Sequence, residues 1–211
     1  MLKKRIAALL IVLLILTIDQ AIKIWVKTHM CLGETIPMID GADWANLRFI
    51  ENEGMALGMN FVGTLALCCF RLVAIGLLVW AVIKVTARQA IQWGFVVLLS
   101  MVLAGAMGNI IDNVLYGLIF QDPLGYEPAR LVALGEGSGK LLQGRVVDMF
   151  YFPIINTHWP DWMPLVGGDE FVFFSPIFNF ADAAISVGGA LMVICYYKTL
   201  NGILSRSKND E

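Results

Sequence analysis

Two aspartates stand where a carboxylate is costly: Asp148 in GRVVDMFYF and Asp182 in FNFADAAISVGG, both strongly apolar stretches. In a chain that looks membrane-embedded, such acids are functional candidates by default. Two carboxyls held together suit shared-proton chemistry, in which one keeps a proton while the other takes one from water, as in aspartic proteases. The bland alternative for each is an acid satisfied within its helix by a neighbouring Asn or Arg. Asn179 lies three residues before Asp182 and shares its helix face. Together they open an apolar run, where unpaired N–H groups and the positive dipole end favour an anion. Asp148 follows the β-branched Val146-Val147 and precedes Phe150 and Tyr151, so it reads as an extended segment entering the outer membrane surface.

The elements that must position these acids are membrane spans. Of 211 residues 58% are hydrophobic, the mean hydropathy is +0.73, and only 15% are charged, against ~25% in soluble domains. The net charge of −2 offers nothing to nucleic acid. Spans are predicted over about 6–26, 68–85, 93–111 and 178–197, within one membrane-embedded domain covering 1–211. Loops 28–66 and 114–177 lie between them, with a short strand between Trp44 and Ile50. The basic start Lys3-Lys4-Arg5 with its apolar run could open a secretory signal peptide. No A-x-A cleavage pattern follows, and the helical pattern continues through Asp19, Gln20 and Lys23, so the span is read as retained. Lysines and arginines crowd the N-terminus, the 84–92 turn and the tail. The positive-inside rule therefore places both termini in the cytoplasm and both long loops outside. Trp25, Trp80, Trp93, Tyr196 and Tyr197 fall near span ends, as an aromatic belt would.

Other polar residues have simpler readings. Asp19 and Lys23 form an i, i+4 pair with the acid first. Asn109 and Asp112 repeat the Asn/Asp spacing of the last span, and interhelical hydrogen bonds explain them better than catalysis does. Gly105 and Gly108 suit close helix packing. Asn52-Glu53-Gly54 begins a polar, glycine-containing turn that permits close approach of a ligand chain. Cys31, Cys68, Cys69 and Cys195 have no metal or redox spacing. His29 and His158 are isolated and no HExxH is present. No metal and no cofactor are expected.

Taken in order, Asp19-Gln20 with Lys23, NEGMALG, GAMGNIID, GRVVDMF and FNFADAAI resemble the bacterial lipoprotein signal peptidases, or signal peptidases II. The set covers most of the chain. The resemblance implies an all-α membrane protein: four transmembrane helices with a small extracytoplasmic β-cradle. It implies an aspartic endopeptidase that removes signal peptides from diacylglyceryl-modified prolipoproteins, cutting before the lipid-modified cysteine. The catalytic carboxylates fall on Asp148 and Asp182. Substrate-binding or supporting positions fall on Asp19, Lys23, Asn52, Gly54, Asn109, Asp112, Arg145 and Asn179. The implied partners are a lipid-modified prolipoprotein and membrane lipids, with no nucleic acid and a monomeric enzyme. The implied place is the bacterial cytoplasmic (inner) membrane, with the active site at the outer leaflet.

Two departures stand out. The family usually reads GNxxDR, but Asp112 is followed here by Asn113. The arginine is missing or supplied from elsewhere, with Arg145 a candidate. The link from Asn113 to Gly144 is also long, and its Gly135, Gly137 and Gly139 suggest a flexible flap. The rival class is a non-enzymatic carrier or assembly factor whose acids relay protons. Carriers usually show internal repeats and mid-membrane broken helices, and no repeat is visible here. A GxGD-type intramembrane protease is a further alternative, but that motif is absent.

Overall fold

The computed structural model describes residues 1–42, 44–52, 64–123, 126–173 and 176–209. Four helices are long and apolar enough to cross a membrane: Leu2–His29, Ala66–Thr86, Trp93–Ile119 and Phe180–Ile203. They correspond to the four expected spans. The first is α1 (Leu2–His29), the second lies in α2 (Thr64–Thr86), and the fourth opens α5 (Phe180–Asn209), which kinks at Tyr196. The third begins as α3 (Trp93–Ile111), widens into a π-helical turn over Asp112–Tyr116, and ends in the short α4 (Gly117–Ile119).

Helix α3 is the central element, packing against α1, α2 and α5. Small residues permit this. A Cβ at Gly105 would fall 2.3 Å from the Ala181 carbonyl oxygen, and one at Gly108 2.6 Å from Asp19 Oδ2. The bundle's outer surface carries Leu9, Leu13, Phe70, Val73, Leu77 and Ile194, all exposed, as side chains facing acyl chains should be. Lys4 Nζ donates to the carbonyls of Arg88 (3.2 Å), Gln89 (3.1 Å) and Ile91. The start of α1 and the α2–α3 turn therefore share one end of the bundle.

The opposite end carries an antiparallel sheet in the order β1-β2-β5-β8: Thr35–Pro37, Asn46–Asn52, Val146–Tyr151 and Ile177–Phe178. The strand expected between Trp44 and Ile50 is β2, and the extended segment expected around Asp148 is β5. The buried face of β5 places Val147 and Met149 against Val26, Met30, Phe49, Tyr116 and Phe120. The alternation of side chains along a strand then turns Asp148 to the other face. A buried ion pair between Lys27 and Glu51 ties the end of α1 to β2.

The sequence reading missed one feature and misread another. Strands β6 (Ile155–His158) and β7 (Glu170–Phe173) form a hairpin inserted between β5 and β8. The link after Asn113 is not a loose flap. It includes the paired β3 (Phe120–Gln121) and β4 (Arg130–Leu131), then folds back on the end of α3. There the N–H groups of Gly135 and Gly137 donate to the Leu118 carbonyl, and that of Gly139 to the Gly117 carbonyl. A Cβ at Gly137 would fall 2.3 Å from Gly117 O, so glycine serves close backbone contact here, not looseness.

Candidate active site

Pairing of β5 with β8 aligns Phe150 with Phe178 and Tyr151 with Ile177. Extending that register sets Asp148 beside the start of α5, one turn from Asp182. Asn179 occupies the junction and caps the helix. Its Oδ1 accepts the Asp182 N–H (2.9 Å), while the Asp182 carboxylate faces the Asn179 N–H at 3.4 Å. This reciprocal arrangement is a capping box with aspartate in the third helical position. With Oδ1 committed to the helix, the Asn179 amide group donates to Asp148 Oδ1 (2.7 Å) and Asn109 Oδ1 (3.1 Å).

Asn109 is oriented in turn by Lys23. The ammonium can only donate, and it donates to Asn109 Oδ1 at 3.0 Å. The Asn109 Nδ2 group therefore points the other way and donates to Asp182 Oδ1 at 2.7 Å. Each candidate carboxylate thus has one oxygen held by a carboxamide whose direction is fixed from behind. Asn52 lies diagonally across the β2–β5 pair from Asp148 and places Nδ2 3.4 Å from Asp148 Oδ2.

Lys23 is fully buried between two acids, 3.0 Å from Asp19 and 2.7 Å from Asp112. The local Asp19–Lys23 pair is present, yet Asp19 does more: its Oδ1 accepts the Ala181 N–H at 2.9 Å and so ties α1 to the first turn of α5. Asp112 accepts from Gln20 (2.9 Å) and lies 3.4 Å from the Val147 N–H, the interhelical role expected of it. Asn109, by contrast, both fixes helices and touches a candidate carboxylate. Gln20 and Tyr116, which bond each other at 3.1 Å, had no separate signal in the sequence.

Burial in this setting pushes the Asp148 carboxyl up to about 7, and the nearby Asp182 charge adds to the rise. Hydrogen bonds from Asn179 and Asn52 and the Lys23 charge act against it. A carboxyl that holds its proton near neutral pH beside a second carboxyl is the asymmetry that acid–base hydrolysis requires.

Two expected positions remain. Arg145 pairs with Glu51 at 3.5 Å and faces Asp122 at 3.9 Å. The guanidinium that reaches Asn113 comes instead from Arg71 of α2, 2.6 Å from Asn113 Oδ1. Gly54 lies outside the described residues.

A family model described as signal peptidase (SPase) II matches residues 11–198. A lipoprotein signal peptidase of Porphyromonas gingivalis is 44% identical over 205 residues, covering 97% of this chain and 88% of its own length. One from Amoebophilus asiaticus is 33% identical over 192 residues, with 87% and 75% covered. Among solved structures, a bacterial membrane enzyme superposes with a TM-score of 0.59 at 23% identity, covering 93% of this chain and 90% of its own, a likeness of fold.

Proposed function

The chain belongs to the signal peptidase II family, and we propose that it is a membrane aspartic endopeptidase that removes signal peptides from diacylglyceryl-modified prolipoproteins, with Asp148 and Asp182 as its catalytic pair. The observation that carries the residue assignment is the shared amide network, in which Asn179 donates to Asp148 and Asn109 donates to Asp182.

The reaction follows from the asymmetry of the pair. Asp148 holds the shared proton and hydrogen-bonds the scissile carbonyl, while ionised Asp182 takes a proton from water. The water oxygen attacks the carbonyl carbon, and the proton on Asp148 passes to the carbonyl oxygen. Collapse of the tetrahedral gem-diol breaks the C–N bond as the amide nitrogen takes the proton gained by Asp182 and one hydroxyl proton returns to Asp148, which restores the starting pair. The products are the signal peptide carboxylate and the free amine of the lipid-modified cysteine. Burial biases the shared proton toward Asp148.

Both termini and the 84–92 turn face the cytoplasm, and the sheet and the carboxylates face the outer leaflet. The lysine and arginine bias supports this orientation, as does the bonding of Lys4 to the α2–α3 turn. Thiol labelling from outside whole cells, on a background free of native cysteines, should reach Glu136→Cys and miss Arg88→Cys. The reverse pattern would invert the orientation.

An acyl-modified cysteine anchored in the outer leaflet brings the adjoining peptide bond to the level of the carboxylates. Burial contributes about 0.8 kcal/mol per CH₂, but substrate and product are both already in the bilayer. The lipid therefore acts by positioning the bond, where orientation lowers the barrier. Precursor without its lipid should be cleaved far more slowly than lipidated precursor at equal membrane density. Equal rates would remove the lipid from the mechanism.

A further inference from the structure

The link between the third span and β5 reads from the sequence as a loop outside the membrane, but its backbone is bonded to the spans themselves. The Val132 N–H donates to the Ile119 carbonyl (2.9 Å), those of Gly135 and Gly137 to the Leu118 carbonyl (both 3.0 Å), and that of Gly139 to the Gly117 carbonyl (2.8 Å). Gly117, Leu118 and Ile119 close the third membrane-crossing helix, Trp93–Ile119. The last carbonyls of a helix have no partner within it, and here the link supplies one to each. Further on, the Cys68 thiol reaches the Leu142 carbonyl at 3.5 Å from the first turn of the second such helix, Ala66–Thr86. Residues 132–142 therefore wrap the end of one span and abut the end of another. They sit at the level where the spans leave the bilayer.

This segment carries apolar side chains outward. Leu131, Leu134 and Leu141 are 60%, 73% and 57% exposed. Single exposed leucines are ordinary, but three on a bonded segment at the bilayer boundary form a pattern. Leu142 takes φ 66°, a left-handed conformation unusual for a bulky side chain, so an apolar residue is kept where glycine would be less strained. Just beyond Cys68 on α2, Phe70 and Val73 are exposed as well. Between the leucines, Glu136 and Lys140 are exposed and charged.

We propose that residues 131–142 form an interfacial anchor, with Leu131, Leu134 and Leu141 set among the acyl chains of the leaflet nearer the sheet and Glu136 and Lys140 among its headgroups. The occupant is lipid because the segment continues, through Leu142 and Cys68, the apolar surface of α2 that faces acyl chains. Irregular backbone cannot approach hydrocarbon with its polar groups unpaired. The bonds from Val132, Gly135, Gly137 and Gly139 to the end of the third span meet that condition. Apolar side chains on one side and charges on the other suit the boundary between headgroups and acyl chains. On the orientation proposed above this is the outer leaflet, but the anchor depends neither on that orientation nor on the peptidase reading.

The test uses the unmodified full-length protein in liposomes containing a phospholipid with a diazirine midway along one acyl chain. After illumination and proteolysis, mass spectrometry should find lipid adducts on peptides spanning 131–142 as well as on those carrying Phe70 and Val73. Adducts on α2 with none on 131–142 would overturn the proposal, because the leucines would then face water or a protein. A second measurement separates the two sides of the segment. Spin labels are placed singly at Leu134→Cys, Glu136→Cys and Leu141→Cys in a chain whose native cysteines are replaced, with Cys68→Ser keeping a donor for the Leu142 carbonyl. Thermal unfolding in detergent checks that each labelled protein is folded. Labels at 134 and 141 should collide more with oxygen, which concentrates in the bilayer, and the label at 136 more with a water-soluble nickel chelate. A preference for nickel at all three positions would equally overturn the anchor. Should a labelled variant fail to fold, the crosslinking of the unmodified protein decides alone.

Discussion

Asp148→Asn is expected to yield a folded, membrane-inserted protein with cleavage reduced by at least about 10³-fold, and Asp182→Asn the same. The structure explains why folding survives. Asn179 Nδ2 donates to Asp148 Oδ1, and Asn109 Nδ2 donates to Asp182 Oδ1; an asparagine side-chain oxygen can accept either bond. The contact that Asp148→Asn would spoil, with Asn52 at 3.4 Å, is the longer and weaker one. What disappears is the proton traffic: neither amide can take a proton from water or pass one to a carbonyl oxygen. The same pair sets the pH dependence. With the Asp148 carboxyl raised to about 7 by burial and by the Asp182 charge, turnover should fall as pH rises through that value, because the proton meant for the carbonyl is then lost. Normal turnover by either variant, or activity still climbing well above pH 8, would contradict the assignment.

Lys23→Met should have the largest effect on stability. The ammonium is buried with Asp19 and Asp112, both also buried. Removing one partner of a buried ion pair typically costs about 3–5 kcal/mol, because the remaining charge is left uncompensated. Here two carboxylates are stranded at once, at the meeting point of α1, α3 and the first turn of α5. That loss is a large part of the stability of an ordinary domain, so the variant should melt far below wild type in detergent. The folded remainder should also be impaired, because Asn109 loses the donor that directs its amide toward Asp182. Melting within a few degrees of wild type would show that this cluster does not hold the bundle together.

The sequence displayed the candidate carboxylates better than the scaffolding. Asp148 and Asp182 were legible because a carboxylate in an apolar stretch stands out, and the four spans because apolar runs of that length are hard to mistake. The i, i+4 spacing of Asp19 and Lys23 gave their local pair. It carried no information about Asp112, which meets Lys23 only after α1 and α3 pack. Likewise the spacing of Asn179 and Asp182 showed a shared helix face, but not that Asn179 would cap the helix while holding Asp148. Gly135, Gly137 and Gly139 were misread because glycine composition is the same whether the chain must be loose, must turn through a positive φ as at Gly135, or must approach another backbone closely as at Gly137 and Gly139. The β6–β7 hairpin escaped because its strands are four residues each, too short for alternation to declare itself. Arg71 is a charge near a span's outer end, but its meeting with Asn113 is set by how α2 leans on α3.

The most direct measurement is the intact mass of the products when purified protein in liposomes meets diacylglyceryl-modified precursor. Wild type should release a fragment whose N-terminus is the lipid-bearing cysteine, together with the free signal peptide, and Asp148→Asn should release neither. Uncut precursor with the wild type, a cut at any other bond, or the same fragment from Asp148→Asn would contradict the account.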